Sequence, residues 1–170
     1  MAMIDSFLQE LEHEAKTTRR VLERVPDHQL GWRPHPKSRT LGELALHVAG
    51  TPGEVAKLAA QSEIQAPDFK DAVPASAAEL IPALEKSVAT ARQLLGKMDD
   101  ATLNGTWRVK RNGQEVLSMP RASLLRSIML NHWYHHRGQL SVYLRELGVP
   151  VPSIYGPSAD ENPFAAAAGR

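Results

Sequence analysis

The chain has 170 residues, 42% of them apolar and 23% charged, with 20 Lys plus Arg against 19 Asp plus Glu and a formal net charge of +1. That is the length of one domain with enough apolar matter for its own core, and it lacks the basic excess of a nucleic-acid binder. There is no cysteine, which excludes a disulfide scaffold, a Cys-ligated zinc or iron–sulfur centre and a cysteine nucleophile, so a bound metal must rest on His, Asp, Glu or backbone. Residues 1–10 do not form a basic stretch followed by an apolar one, and no apolar run approaches the ~18 residues needed to cross a bilayer. The expectation is a cytoplasmic protein with no membrane partner.

The first predicted helix carries Phe7, Leu8, Leu11, Ala15, Leu22 and Val25 on one face, with Asp5 or Ser6 as its cap, His13 pointing away and Pro26 ending it. A connection with Pro26, Pro34 and Pro36 follows and contains Trp32. Thr40-Leu41-Gly42-Glu43 then reads as a capping box. Leu41, Leu44, Ala45, Val48, Val55 and Leu58 continue as a helical stripe that Gly50, Pro52 and Gly53 interrupt, which predicts a kink or break just after Ala49. Residues 62–75 read as a loop. Ser76-Ala77-Ala78-Glu79 is a second capping box, and Leu80, Leu84, Val88, Ala91, Leu95 and Met98 share one face of a third helix whose start is delayed by Pro82.

Between residues 104 and 118 the period changes. Trp107 and Val109 alternate with Arg108 and Lys110, and Asn112-Gly113 is a two-residue hairpin turn, so a small hairpin is predicted between the third and fourth helices. The fourth helix runs from near Pro120 to about Leu147, where Gly148 and Pro150 stop it. Val151, Ile154 and Tyr155 are placed to pack back. The sequence reads as one domain over residues 1–156 and a flexible, frayed tail over 157–170. Four amphipathic helices predict an all-α helix bundle carrying that hairpin.

Seven histidines are present. His132 and His136 are four residues apart, so their imidazoles are neighbours on one helical face at a spacing that chelates a metal ion. On a wheel started at Leu124, residues Leu125, Ile128, Met129, Leu140, Tyr143 and Leu147 fall between about 40° and 160°, with His132 near 80° and His136 near 120°. Two imidazoles in the middle of an apolar stripe need partners, either hydrogen-bonding neighbours or a shared metal ion. His135, near 20° at the edge of the stripe, reads as a rim residue or a donor to the outside of the site rather than as a competing ligand. His47, on the flank of the second stripe one turn before the predicted break, is the candidate third ligand. His28 and His35 fall in the first connection. Glu10-x-x-His13 is half of a di-iron signature without its second half. Arg126, Arg137 and Arg145 read as a solvated face of the fourth helix. Trp32, Trp133 and Tyr155 read as packing residues, with lining a pocket as the alternative.

Three stretches carry a family resemblance: residues 30–36 leading into Thr40-Leu41-Gly42-Glu43-Leu44-Ala45-Leu46-His47, then Asn131-His132 through His135-His136-Arg137-Gly138-Gln139-Leu140, then residues 151–160. Together they resemble the DinB/YfiT-like superfamily of four-helix metalloproteins. The resemblance implies an up-up-down-down four-helix bundle, a homodimer, and a divalent metal on a His of the second helix and a His-x-x-x-His pair of the fourth, positions that match His47, His132 and His136. Characterised relatives include thiol S-transferases using bacillithiol and a mycothiol-dependent isomerase.

Three neutral imidazoles leave a coordination position open for water or substrate. With no cysteine in the chain, a thiolate would come from a low-molecular-weight thiol. The expectation is therefore a transferase dependent on a divalent metal (Zn, Ni, Co, Mn or Fe) that joins such a thiol to a small electrophilic substrate. The alternatives are a metal-dependent hydrolase, or a non-enzymatic module with a structural metal.

Overall fold

The first helix of the computed structural model, which describes residues 2–68 and 72–165, shows how the periodic pattern is used. Helix α1 (Met3–Leu22) buries Ile4, Phe7, Leu11, Glu14, Thr18, Val21 and Leu22. Its start lies earlier than Asp5 or Ser6 would set it. Asp5 is inside the first turn, where its carboxylate accepts from the Ala2 backbone N–H at 2.9 Å and faces the positive end of the helix. The buried stripe does not break at Glu14 and Thr18, so a polar pair lies inside an apolar face.

Helix α2 (Leu41–Ala59) opens on the predicted capping box: Glu43 N–H donates to Thr40 Oγ1 at 3.1 Å, and Thr40 N–H donates to Glu43 Oε2 at 2.6 Å. Of the kink or break expected after Ala49, the break does not occur: α2 continues as one helix through Pro52. The polar groups that the Gly50–Gly53 turn loosens find partners on neighbouring helices. Ser87 of helix α3 (Leu80–Leu95) donates its hydroxyl to Gly50 O and accepts from Gly53 N–H, both at 2.8 Å. The indole N–H of Trp133 donates to Val48 O at 2.8 Å.

Glycine at position 53 is what allows α3 to lie this close. A Cβ there would stand 2.8 Å from the Ser87 carbonyl oxygen and 2.9 Å from its Cα. Both are backbone atoms that can move only if the helix moves. Gly53→Ala is expected to lower stability by about 1–3 kcal/mol, as overpacking of a filled core does, measured by urea unfolding.

The loop expected over residues 62–75 contains a short strand, β1 (Glu63–Gln65). It pairs in parallel with β2 (Thr106–Arg111), and β2 pairs antiparallel with β3 (Gln114–Pro120). Asn112 (φ 52°) and Gly113 (φ 79°) make the predicted turn with both central residues at positive φ. The fold is thus mostly helical with a three-stranded sheet rather than all-α with one hairpin. Ile64, Trp107 and Val109 bury the inner face of the sheet. Trp107 also donates its indole N–H to Leu58 O, and the buried guanidinium of Arg121 donates to Ala59 O, Gln61 O and Thr102 O. These bonds attach the sheet and the residue that follows it to the C-terminal end of α2, whose last carbonyls have no donor four residues on within the helix.

Ser76 Oγ accepts from Ala78 N–H and starts a 3-10 turn (Ala77–Glu79) that leads into α3 at Leu80, so Pro82 lies in the first helical turn, where a missing N–H costs nothing. A short helix not anticipated from the sequence, α4 (Asp100–Asn104), is capped by Asp99 and precedes β2.

The last helical run is continuous but not uniform: α5 (Arg121–Leu124), a π-helical segment (Leu125–Asn131) and α6 (His132–Glu146), stopped by Gly148 at φ 71°. A π turn holds one residue more than an α turn, which rotates everything after it by about 100° relative to a straight wheel. Ile128, expected in the core, is accordingly 39% exposed, and the buried face of α6 is Trp133, His136, Arg137, Leu140 and Leu144.

The segment after α6 packs back through buried Val151 and half-buried Ile154. Residues 157–161 lie against the same surface: Arg145 pairs with Asp160, Arg20 pairs with Glu161, and Asp160 Oδ2 accepts from Val151 N–H at 2.8 Å. Residues 166–170 of the expected frayed tail lie outside the described residues. Among the described residues no helix is long and apolar enough to cross a membrane.

Candidate metal centre

Each of the three histidines singled out from the sequence is delivered by a different local device. His47 sits in the middle turns of α2, and the Thr51 hydroxyl donates to its backbone carbonyl at 2.6 Å, which fixes the turn that carries it. His132 is the first residue after the π-helical segment, and His136 lies one α turn further on. The extra π residue moves the pair from the centre of the buried stripe, where a straight wheel puts them, to its edge. His136 is buried while His47 and His132 are half-buried.

The three rings converge. One ring nitrogen from each lies within 4.8 Å of the other two. His47 Nε2 and His132 Nε2 are 3.0 Å apart. The ring centroids are 5.3 Å apart for His47 and His132, 4.6 Å for His47 and His136, and 4.3 Å for His132 and His136, all edge to face.

The donor set fits a divalent transition ion. Two imidazole nitrogens bound to one ion at the usual distance of ~2.0–2.1 Å stand about 3 Å apart, which is the spacing found for His47 and His132. The proton inventory agrees. Gln139 presents Oε1 to His136 Nδ1 at 2.7 Å, so Nδ1 carries the proton and Nε2 keeps its lone pair. Gln139 is the partner that the sequence does not announce. The only sign of it is its position three residues after His136, within reach on the same helical face.

His135 lies at the rim beside this pair. It is exposed, and its ring meets the His136 ring edge-on at 5.0 Å. His13, His28 and His35 are exposed and outside the cluster. Arg137, expected on a solvated face, is 1% exposed and ion-paired with Glu14, whereas Arg126 pairs with Glu10 and Arg145 with Asp160.

Electrostatics disfavour the protonated form of two of the rings, His132 and His136. Burial pulls the His136 imidazole down from 6.5 to about 4, with His132, Arg39 and His135 pushing the same way and the Gln139 hydrogen bond opposing. Burial also lowers His132, helped by Arg39 and His135. A base whose pKa falls on folding binds fewer protons folded than unfolded across that interval, so the folded state loses ground as the pH drops. The metal-free protein is expected to lose stability as the pH falls from about 6.5 to about 4. Urea unfolding across that range should show a shallower slope for His136→Gln.

A cavity of about 420 Å³ between α2 and α3 opens onto His47 and His132. Leu46 and Ala83 give it apolar wall, Arg39, Lys57 and Lys86 bring positive charge, and Glu43 and Glu54 bring negative charge. The size suits a small ligand. Trp32, Trp133 and Tyr155 are not among its lining residues. Trp133 is core, Trp32 packs edge-on against Tyr143 with centroids 5.5 Å apart, and Tyr155 is 68% exposed with its hydroxyl on Arg137 and Glu14.

A family model described as DinB family matches residues 1–163. The uncharacterized protein YrdA of Bacillus subtilis (strain 168) is 33% identical over 159 residues, covering 93% of this chain and 91% of its own. Among solved structures, a DinB-like protein from Bacillus cereus ATCC 10987 superposes with a TM-score of 0.69 at 27% identity, covering 89% of this chain and 97% of that one. A DinB-like protein, YjoA, from Bacillus subtilis superposes with a TM-score of 0.64 at 18% identity, covering 85% and 95%, and shares the fold.

Proposed function

This chain belongs to the DinB family, and from that premise we propose that it is a divalent-metal-dependent transferase joining a small thiol to an electrophilic substrate. His47, His132 and His136 are the metal ligands, and the four long helical segments form the up-up-down-down bundle of the family, with two copies associating as a homodimer. The observation that carries the reading is the convergence of three imidazoles, two of which, His47 and His132, line a cavity.

A divalent ion bound there supplies Lewis acidity, which lowers the pKa of a thiol or water that reaches it. The chain does the rest. Gln139 holds the His136 proton on Nδ1 and so orients the ring. The apolar wall of Leu46 and Ala83 limits water beside the reacting atoms, and the charged residues at the rim hold the polar parts of the ligand. The absence of cysteine from the chain means that the thiol is a substrate brought from outside.

The cavity favours this reading over a structural metal, because a structural site is closed by its protein ligands while this one faces open space. Metal removal tests it. Protein dialysed against a chelator is expected to keep its helical signal and thermal unfolding transition within a few degrees, and to lose conjugation of a small thiol to a chromogenic electrophile. Return of the ion should restore it. Unfolding on chelation would instead assign the ion to the fold. Hydrolysis of the same electrophile without thiol incorporation would assign the site to a hydrolase.

A further inference from the structure

Proline 52 has no N–H, so the carbonyl four residues before it in α2, that of Val48, has no intrahelical donor. Val48 is fully buried, and the gap is filled from another helix: Trp133, also fully buried, donates its indole N–H to Val48 O at 2.8 Å. Val48 is the residue after His47, and Trp133 is the residue after His132. This hydrogen bond thus stands one residue away from each of two converging imidazoles, whose Nε2 atoms are 3.0 Å apart.

We propose that Trp133 is a positioning residue of the metal centre, and that the Pro52–Val48–Trp133 arrangement sets the spacing of His47 and His132. The inference rests on the reading of these histidines as metal ligands. Apolar packing between α2 and α6 is non-directional and tolerates small slides of one helix along the other. A hydrogen bond between an indole N–H and a carbonyl with no other donor is directional, and it is strictest where no water can substitute. Pro52 therefore makes the acceptor available only to the helix that bears His132, at the turn that bears His47. This accounts for a proline in the middle of a helix that nonetheless runs on unbroken.

The test compares cobalt(II) binding with folding in the full-length protein. Wild type is expected to bind one equivalent and show visible ligand-field bands. Trp133→Phe keeps an aromatic ring and removes the donor. It should weaken cobalt binding by about tenfold or more, as loss of an outer partner of a metal site does, and shift the bands. Pro52→Ala on that background returns a backbone N–H to Val48 O. It should recover the thermal midpoint but leave the cobalt affinity low, because the carbonyl is satisfied while the tie to the His132 helix stays cut.

Wild-type affinity and bands in Trp133→Phe would overturn the proposal, as would affinity that returns together with stability in the double variant. Should Trp133→Phe fail to fold, 3-benzothienylalanine at position 133 keeps the shape of the indole and lacks only the N–H, and the same two outcomes apply. A wild-type protein that takes up no cobalt, zinc or nickel would overturn the metal reading itself, and this proposal with it.

Discussion

With His132 and His136 both replaced by alanine, the protein is expected to retain no divalent ion through gel filtration while keeping its helical circular-dichroism signal. Two of three nitrogens are gone, so the loss exceeds the ~10–100-fold that removal of an outer partner costs. The fold should survive because these side chains lie at the edge of the buried face, not at its centre. The contacts that hold the last helix are made by Leu125, Met129, Trp133, Leu140 and Leu144. The apo state also gains in acid, since two imidazoles that resist protonation in the folded protein are no longer there. Elemental analysis and spectra on the same sample decide the matter. A variant that still holds one equivalent would move the site elsewhere, and a variant that loses its helices would make the histidines part of the core.

What could be read from the sequence divides by the range of the physics involved. The Thr40–Glu43 cap, the Asn112-Gly113 turn and the apolar stripes are local, and each appears where its residues place it. The His132–His136 pair is local too, and the relevance of His47 follows from its place one turn before Pro52. The elements that escape are those in which one helix completes another. Nothing near Pro52 says that Trp133 will supply the missing donor, so a break is the natural reading. The extra residue of the π-helical segment cannot be seen at a fixed 100° per residue, and from it follow the exposure of Ile128 and the burial of Arg137. Strand β1 is three residues long and exists only because β2 offers it an edge. A trace of the buried charge was present: Glu14 and Thr18 fall in register between Leu11 and Val21 on a stripe that is otherwise apolar.

That buried charge supports the second large prediction. Arg137 donates to Glu14 Oε2 at 2.6 Å, to the Glu14 carbonyl at 3.2 Å, to Thr18 Oγ1 at 3.1 Å and to the Tyr155 hydroxyl at 2.6 Å. Tyr155 passes its own proton to Glu14 Oε2 at 3.1 Å. The guanidinium also lies 5.2 Å from the ring centroids of both Tyr134 and Tyr155. Among the described residues no buried side-chain nitrogen or oxygen lacks a partner. Such a network is secure only while complete. Glu14→Leu removes the counter-charge and leaves a guanidinium that water cannot reach, which is expected to cost about 3–5 kcal/mol, or a fall of about 10 °C in the thermal midpoint for a chain of this size. Arg137→Met added to it removes the stranded charge. Because a buried ion pair returns little beyond its own desolvation, the double variant is expected to regain most of the loss or to exceed wild type. Guanidinium unfolding of the two variants and Arg137→Met alone closes the cycle. Equal loss in single and double variants would mean that the pair contributes net attraction. The same proteins separate fold from site. Arg137 follows His136 directly and ties α6 to α1 and to the segment around Tyr155, so a double variant that is stable yet binds metal weakly would show that the network sets the rotation of the histidine-bearing helix. One that binds normally would show that Leu140, Leu144 and Trp133 set it through packing alone.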